Sequence, residues 1–300
     1  MMKNKTQRIA WEGWSLPARP EWRPIQLAGD RRRGRMLIGD AAQHVLLVQW
    51  WRPGARFDFA PWLRRRLRQV AEGQPPNAVA PVTPAGFTSV AGVTGRTFRG
   101  SVGKSLWYGH APEDHLVLEI TVNEAAEEPA GFVRRHVLPA VGIMPLSGYV
   151  CWSVFDTRFE SPPGFVLQRR SLHAGHIALE LAGPERRSLL VRQVYPAATA
   201  LAKLPLERWI AATPFPKQRP ITDLKQEPVV IGAAKPLAGI CQRGWRRHAF
   251  PLRRFRPLRT HAVAVVDPSL NRILMAELTG GGEREEHVAS RAVAQMNPGA

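Results

Sequence analysis

The order of landmarks in this chain repeats. Ala85-Gly86-Phe87, followed by Gly92-Val93, has a counterpart in Ala238-Gly239-Ile240, followed by Gly244-Trp245. Turns, apolar runs and helical stripes recur in the same order around both, which is the mark of a tandem duplication. Two copies of one plan exclude most other ways of folding a chain of 300 residues, a length that allows each copy a core of its own. The expected domains are residues 1–143 and 148–300, parted at 142–148, which holds Pro145 and two glycines.

In the first copy Leu16-Pro17 and Trp22 lead to a polar turn, Asp30-Arg31-Arg32-Arg33-Gly34, then to a strand at 35–38, a turn at Gly39-Asp40 and an apolar run at 45–51. In the second, Pro162-Pro163 and Phe165 lead to Gly175, then to strands at 177–181 and 189–195 around a turn at Gly183-Pro184. Short apolar runs between turn signals are strands, paired as hairpins. Trp50 and Trp51 are adjacent on such a strand, so one belongs to the core and the other covers the opposite face or meets a helix or a partner.

Each hairpin enters a helix through proline. Phe59-Ala60-Pro61 opens a stripe of Leu63, Leu67 and Val70, and Leu204-Pro205 opens one of Leu206, Trp209 and Ile210. The proline-bearing stretches 73–84 and 213–236 follow as internal loops. Strands at 87–98, 106–108 and 115–122 then precede a helix at about 129–141. Their counterparts are strands at 244–250, 262–266 and 273–278 and a helix at about 283–296. Strands, helix, strands, helix in each copy gives an α+β fold with antiparallel sheets. The strand after the Pro-x-Trp entry and the late helix resemble, in element order, the small α+β domains of the Mog1/PsbP type. That resemblance implies an order of elements and transfers no site residue.

With 44% hydrophobic residues and ten Trp the chain is globular despite 27 Pro and 25 Gly. Cys151 and Cys241 are too few for a disulfide framework or a zinc site, and their apolar surroundings mark them as buried and reduced. Residues 1–8 are basic, but Trp11-Glu12-Gly13 interrupts the apolar core that a secretory signal needs. No run approaches a transmembrane span, and the expected location is the cytoplasm.

The net charge is +18, with 20 basic against 12 acidic residues up to position 143 and 22 against 12 after it. A positive field of that size attracts polyanions. Because 35 of the 42 basic residues are Arg, beside abundant Ala, Gly and Pro, GC-rich coding supplies part of the excess. The densest cluster is Arg243, Arg246, Arg247, Arg253, Arg254, Arg256 and Arg259, free of acids and interleaved with Trp245, Phe250 and Phe255. Arg31, Arg32, Arg33 and Arg35 line a turn, and Arg64, Arg65, Arg66 and Arg68 line a helix. Arginine grips phosphate bidentately and aromatic rings stack on unpaired bases.

Other candidates carry less. Gly100-Ser101-Val102-Gly103-Lys104-Ser105 ends like a phosphate loop, but Phe98 stands where its first Gly belongs and Leu106-Trp107-Tyr108 continues as strand. His173 with His176, and His110 with His115 around Glu113 and Asp114, lack a third metal ligand. Glu119 and Glu277 occupy matching places, where a paired acid and base would sit. Strand alternation instead sends each to solvent.

The expectation is a non-enzymatic binding or assembly protein whose basic surfaces engage an acidic partner, nucleic acid foremost. The polyanion-binding residues are Arg31, Arg32, Arg33, Arg64, Arg65, Arg68, Arg243, Arg246, Arg247, Arg253, Arg254 and Arg256. No catalytic residue, metal or cofactor is assigned. The alternatives are a small-molecule enzyme with a pocket between the repeats, and a structural component that docks protein through exposed Trp.

Overall fold

Alternation between turns does produce strands here, and they assemble into two seven-stranded antiparallel sheets with helices interspersed. A computed structural model describes residues 7–71, 77–79, 83–95, 104–125, 127–144, 149–212, 221–232, 235–246, 257–280, 282, 285 and 287–296. Two units emerge, Met1–Met144 with Ser153–Asp156, and Pro145–Trp152 with Thr157–Ala300.

The first sheet takes β3 (Arg23–Gly29), β4 (Arg33–Gly39), β5 (His44–Trp51), β6 (Asn77–Val79), β7 (Ser89–Gly95), β8 (Lys104–Ala111) and β9 (Leu116–Asn123), in the order β3-β4-β5-β9-β8-β7-β6. Helix α1 (Phe59–Ala71) connects β5 to β6. It starts where Asp58 accepts the Ala60 N–H at 3.1 Å, a capping bond for an otherwise orphaned donor. Before the sheet, β1 (Gln7–Trp11) and β2 (Trp14–Ala18) form a hairpin that β10 (Gly142–Ile143) extends. This hairpin supplies core. Trp14 lies 6.0 Å from Trp50 between ring centroids, and both are buried. Gly34 stands opposite Trp50, where any Cβ would fall 2.3 Å from the indole.

The second sheet takes β13 (Val166–His173), β14 (His176–Ala182), β15 (Ser188–Val194), β16 (Ile221–Ile231), β17 (Leu237–Arg246), β18 (Leu258–Asp267) and β19 (Arg272–Thr279). Its order, β13-β14-β15-β19-β18-β17-β16, is the first sheet's order strand for strand. A hairpin again precedes it, β11 (Val150–Val154) with β12 (Thr157–Ser161), and α3 (Ala197–Ala200) and α4 (Leu206–Ala212) stand between β15 and β16. Helix α5 (His287–Met296) packs Val288, Ala289, Ala292, Val293 and Met296 inward, against β12, β18 and β19.

Three expectations change. The stretches 73–84 and 213–236 are not loops throughout, because each contains the outermost strand of its sheet, β6 or β16. Proline hid them, since its missing N–H argues against a strand, yet an edge strand tolerates it on the open side, as Pro228 shows. The helix at 129–141 is three short pieces, α2 (Glu127–Phe132), a π turn (Val133–Val137) and a 3-10 turn (Leu138–Ala140). Pro139 cannot donate to an α ladder and sits in the tighter last turn. The helix at 283–296 runs over His287–Met296, and residues 283, 284 and 286 lie outside the described set. The leading hairpins are also new, and the first is hard to read because β2 is buried on both faces and shows no alternation.

One end of the second sheet is closed by buried charge. Asp267 and Arg272 face each other across the β18–β19 turn, with Nε to Oδ2 at 3.2 Å. Lys235 at 3.1 Å and Ser269 at 2.6 Å hold the other carboxylate oxygen. Arg272 continues to Gln193 at 3.3 Å and to the Met296 carbonyl that ends α5. Burial alone would raise the Asp267 pKa, but bonds from Ser269, Lys235 and Arg272 outweigh it and hold the group at about 2. A depressed carboxylate stabilises the fold above its unfolded value and loses that contribution as pH falls through the folded one, here worth about 2 kcal/mol. Asp267→Asn is therefore expected to lose about 2 kcal/mol at neutral pH, with the gap to wild type roughly halved by about pH 3. Urea unfolding across that range measures it, and a gap independent of pH would refute the assignment.

Candidate polyanion-binding face

Register carries one row of side chains straight across the first sheet. Ala28, Arg35, Gln49, Glu119, Tyr108 and Ala91 stand opposite one another from β3 to β7. Helix α1 lies over this face and is pinned there. Arg66 donates Nε to Glu119 Oε2 at 3.0 Å and Nη2 to Oε1 at 2.9 Å. Glu119 is 4% exposed, so it does not point to solvent as alternation suggested, because a helix roofs its face. Burial, and then the Glu119 charge, raise the Tyr108 phenol above its ordinary value and keep it protonated.

The neighbouring row is Arg33, Trp51, Val117, His110 and Ser89. Trp50 is core and Trp51 meets the helix, as adjacency required: its ring lies 4.7 Å from that of Trp62 on α1. Phe57 and Phe59 also touch Trp62, and His110 stacks on Phe59 at 5.1 Å. Burial, then the nearby His115, lowers the His110 pKa, which suits a neutral ring in an aromatic stack. Trp51, Phe57 and Trp62 remain half-buried. Sequence reasoning placed one of Trp50 and Trp51 in the core without saying which, and assigned neither Trp51 nor Trp62 to a site.

The arginine turn is built onto the core. Asp30 accepts the backbone N–H groups of Arg32 and Arg33 at 2.7 and 3.0 Å, and the Trp50 indole donates to the Asp30 carbonyl at 2.9 Å. Arg31, Arg32, Arg33 and Arg35 are exposed around this turn, and Arg64, Arg65 and Arg68 are exposed on α1. None of the seven has a carboxylate partner among the described residues. Arg35 is two strands from Glu119, roughly 10 Å at the usual strand spacing, and Glu119 holds Arg66 of α1. Arg33 and Arg35 therefore share with the helix arginines the side of the first sheet that α1 covers, and Arg31 and Arg32 stand in the turn that leads into β4.

The second cluster fares differently. Arg243 is half-buried and pairs with Glu227 at 2.8 Å. Its charge is already spent within the unit. Arg246 ends β17 opposite Leu258, while its side chain and all of Arg247, Arg253, Arg254 and Arg256 lie outside the described residues. Elsewhere Arg19 pairs with Glu128, Arg134 with Glu124, Arg169 with Glu180, and Arg187 with Glu285. Part of the positive charge thus meets carboxylates of the protein itself, of which Glu124, Glu180 and Glu285 are buried or half-buried and Glu128 and Glu227 exposed.

Glu277 repeats the buried position. The row Arg169, Glu180, Leu190, Glu277, Ala262, Gln242 and Gln226 crosses the second sheet, with Glu277 again on its central strand. It is 2% exposed and accepts the Thr279 hydroxyl at 3.2 Å, so it too departs from the solvent-facing expectation. Arg192, buried on the same face, lies 5.0 Å from the Trp209 ring centroid, and burial lowers its pKa against the pull of Glu277.

Among the described residues no three His, Cys, Asp or Glu could hold a metal ion. His173 is exposed and faces half-buried His176 across the β13–β14 turn, while His115 is exposed beside exposed Glu113 and half-buried Asp114. Cys241 is a free, buried thiol 3.0 Å from His261 Nε2, and burial pushes its pKa up, away from a reactive thiolate. Lys104 and Ser105 open β8, a strand where a phosphate loop requires a helix, and residues 100–103 lie outside the described set. The chain matches no protein-family model and no curated protein.

Removing one partner of a buried ion pair strands the other. Because Arg66 is 36% exposed, Arg66→Met is expected to cost about 2 kcal/mol, below the usual range for a fully buried pair. The double change Arg66→Met with Glu119→Gln should recover at least half of it in denaturant unfolding. Equal losses in the single and double variants would show that the pair does not hold the helix down.

Proposed function

We propose that this protein is a non-enzymatic polyanion-binding or assembly protein of the cytoplasm, with nucleic acid as its favoured partner and the arginine face of the first unit as its binding surface. One observation carries the reading: seven exposed arginines without carboxylate partners stand on β4, on the turn that leads into it and on the helix over the same sheet, whose own buried carboxylate is already neutralised by Arg66. A free buried Cys241 fits a reducing compartment. The common strand order supports descent of both units from one duplicated α+β domain, with the Mog1/PsbP type as the proposed shape of the ancestor. Protein docking has a narrower footing in Trp245, which is 42% exposed.

Phosphate contacts release condensed counterions, so binding must weaken steeply with salt. Replacing Arg31, Arg32, Arg33, Arg64, Arg65 and Arg68 together with Gln should weaken binding and flatten the salt slope. The circular dichroism spectrum should be unchanged, since these side chains are exposed. Fluorescence anisotropy with single-stranded and duplex DNA and RNA reads both quantities. Absence of binding by wild type at about 50 mM salt, where such contacts are strong, would overturn the proposal.

A further inference from the structure

The arginines alone would grip any polyanion, but the surface between them is aromatic. Arg33 and Trp51 are directly opposed on β4 and β5 and point to the face that α1 covers. Trp51 packs against Trp62 and Trp62 against Phe57, and all three residues are half-buried where they border the cluster of Phe59, Leu106, Tyr108 and Val117. Arg31, Arg32 and Arg33 flank this cluster from the turn, while Arg64, Arg65 and Arg68 flank it from the helix that carries Trp62. The turn is also rigid, tied through Asp30 to the buried Trp50.

We infer that the first unit binds single-stranded nucleic acid, its unpaired bases stacking on Trp51 and Trp62 while its phosphates meet the surrounding arginines. Duplex hides its base faces in its own stack and offers these rings nothing. A single strand offers both charge and π surface at the spacing of adjacent side chains. The inference rests on the polyanion reading above and adds to it the class of strand and the residues that select it.

The test separates the two claims. Binding is measured by anisotropy for an oligothymidylate of about fifteen nucleotides, a usual site size, for an abasic strand of the same length and charge, and for a duplex. The expected result is tightest binding to the oligothymidylate, at least about fivefold weaker binding to the abasic strand, the lower end for one stacked base, and weaker binding to duplex. Trp51→Leu should remove the preference for bases while leaving abasic binding unchanged, and Trp51→Phe should restore most of it. Because Trp51 supports α1, thermal unfolding of both variants must show a folded protein. If Trp51→Leu does not fold, the matched pair Trp62→Met and Trp62→Tyr takes its place. Equal binding to oligothymidylate and abasic strand, or tighter binding to duplex, overturns the stacking inference and leaves the polyanion reading standing. Failure of all three probes to bind overturns both.

Discussion

A carboxylate in the middle of a sheet organises the first unit. Glu119 is almost wholly removed from water, and a charge in that position is tolerated only with a partner that satisfies both oxygens. Arg66 provides it bidentately, which sets the position of α1 over the sheet more tightly than apolar packing would. Apolar contacts tolerate sliding, whereas two parallel hydrogen bonds do not. With Arg66 drawn down to the sheet, its neighbours Arg64, Arg65 and Arg68 are left outward. The exposed arginine row of the helix is thus a by-product of neutralising one buried group.

The second unit meets the same requirement by other means. Glu277 sits at the matching place on the matching strand, but a threonine hydroxyl and the charge of Arg192, a residue of β15, answer it. Helix α4 there is short and holds its place through Trp209 and Ile210 and through the Glu207 carbonyl, which accepts from Gln242 at 2.8 Å. A shared strand order therefore constrains where the charge goes without dictating what neutralises it.

Most of the strand plan was legible from the chain. The runs at 35–38, 45–51, 177–181, 262–266 and 273–278 all lie within observed strands, and the run at 189–195 overshoots its strand by one residue, because turn residues bounded them on both sides. The edge strands were hidden by proline and the first leading hairpin by the continuous burial of β2. Glu119 and Glu277 were misplaced for one reason: alternation reports which face a side chain takes, and only tertiary structure reports what covers that face. Of the candidate site, the turn and helix arginines were named in advance. Their convergence was not visible, since it depends on register across β4, β5 and β9. Arg243 was counted as available because its partner Glu227 lies outside the acid-free stretch that drew attention to it.

The outer strand of the second sheet has a bearing on how the protein behaves in solution. β16 is eleven residues long and exposed along most of its length, the kind of border on which a second sheet would grow. Pro228 removes one donor from its open rim, and a register shift between Thr222 and Lys225 breaks the straight run beside it. Lys225 and Glu227 add charge to what remains. An incoming strand would find a gap, a kink and two ions where it needs an even ladder, so this rim is a poor template for a further strand.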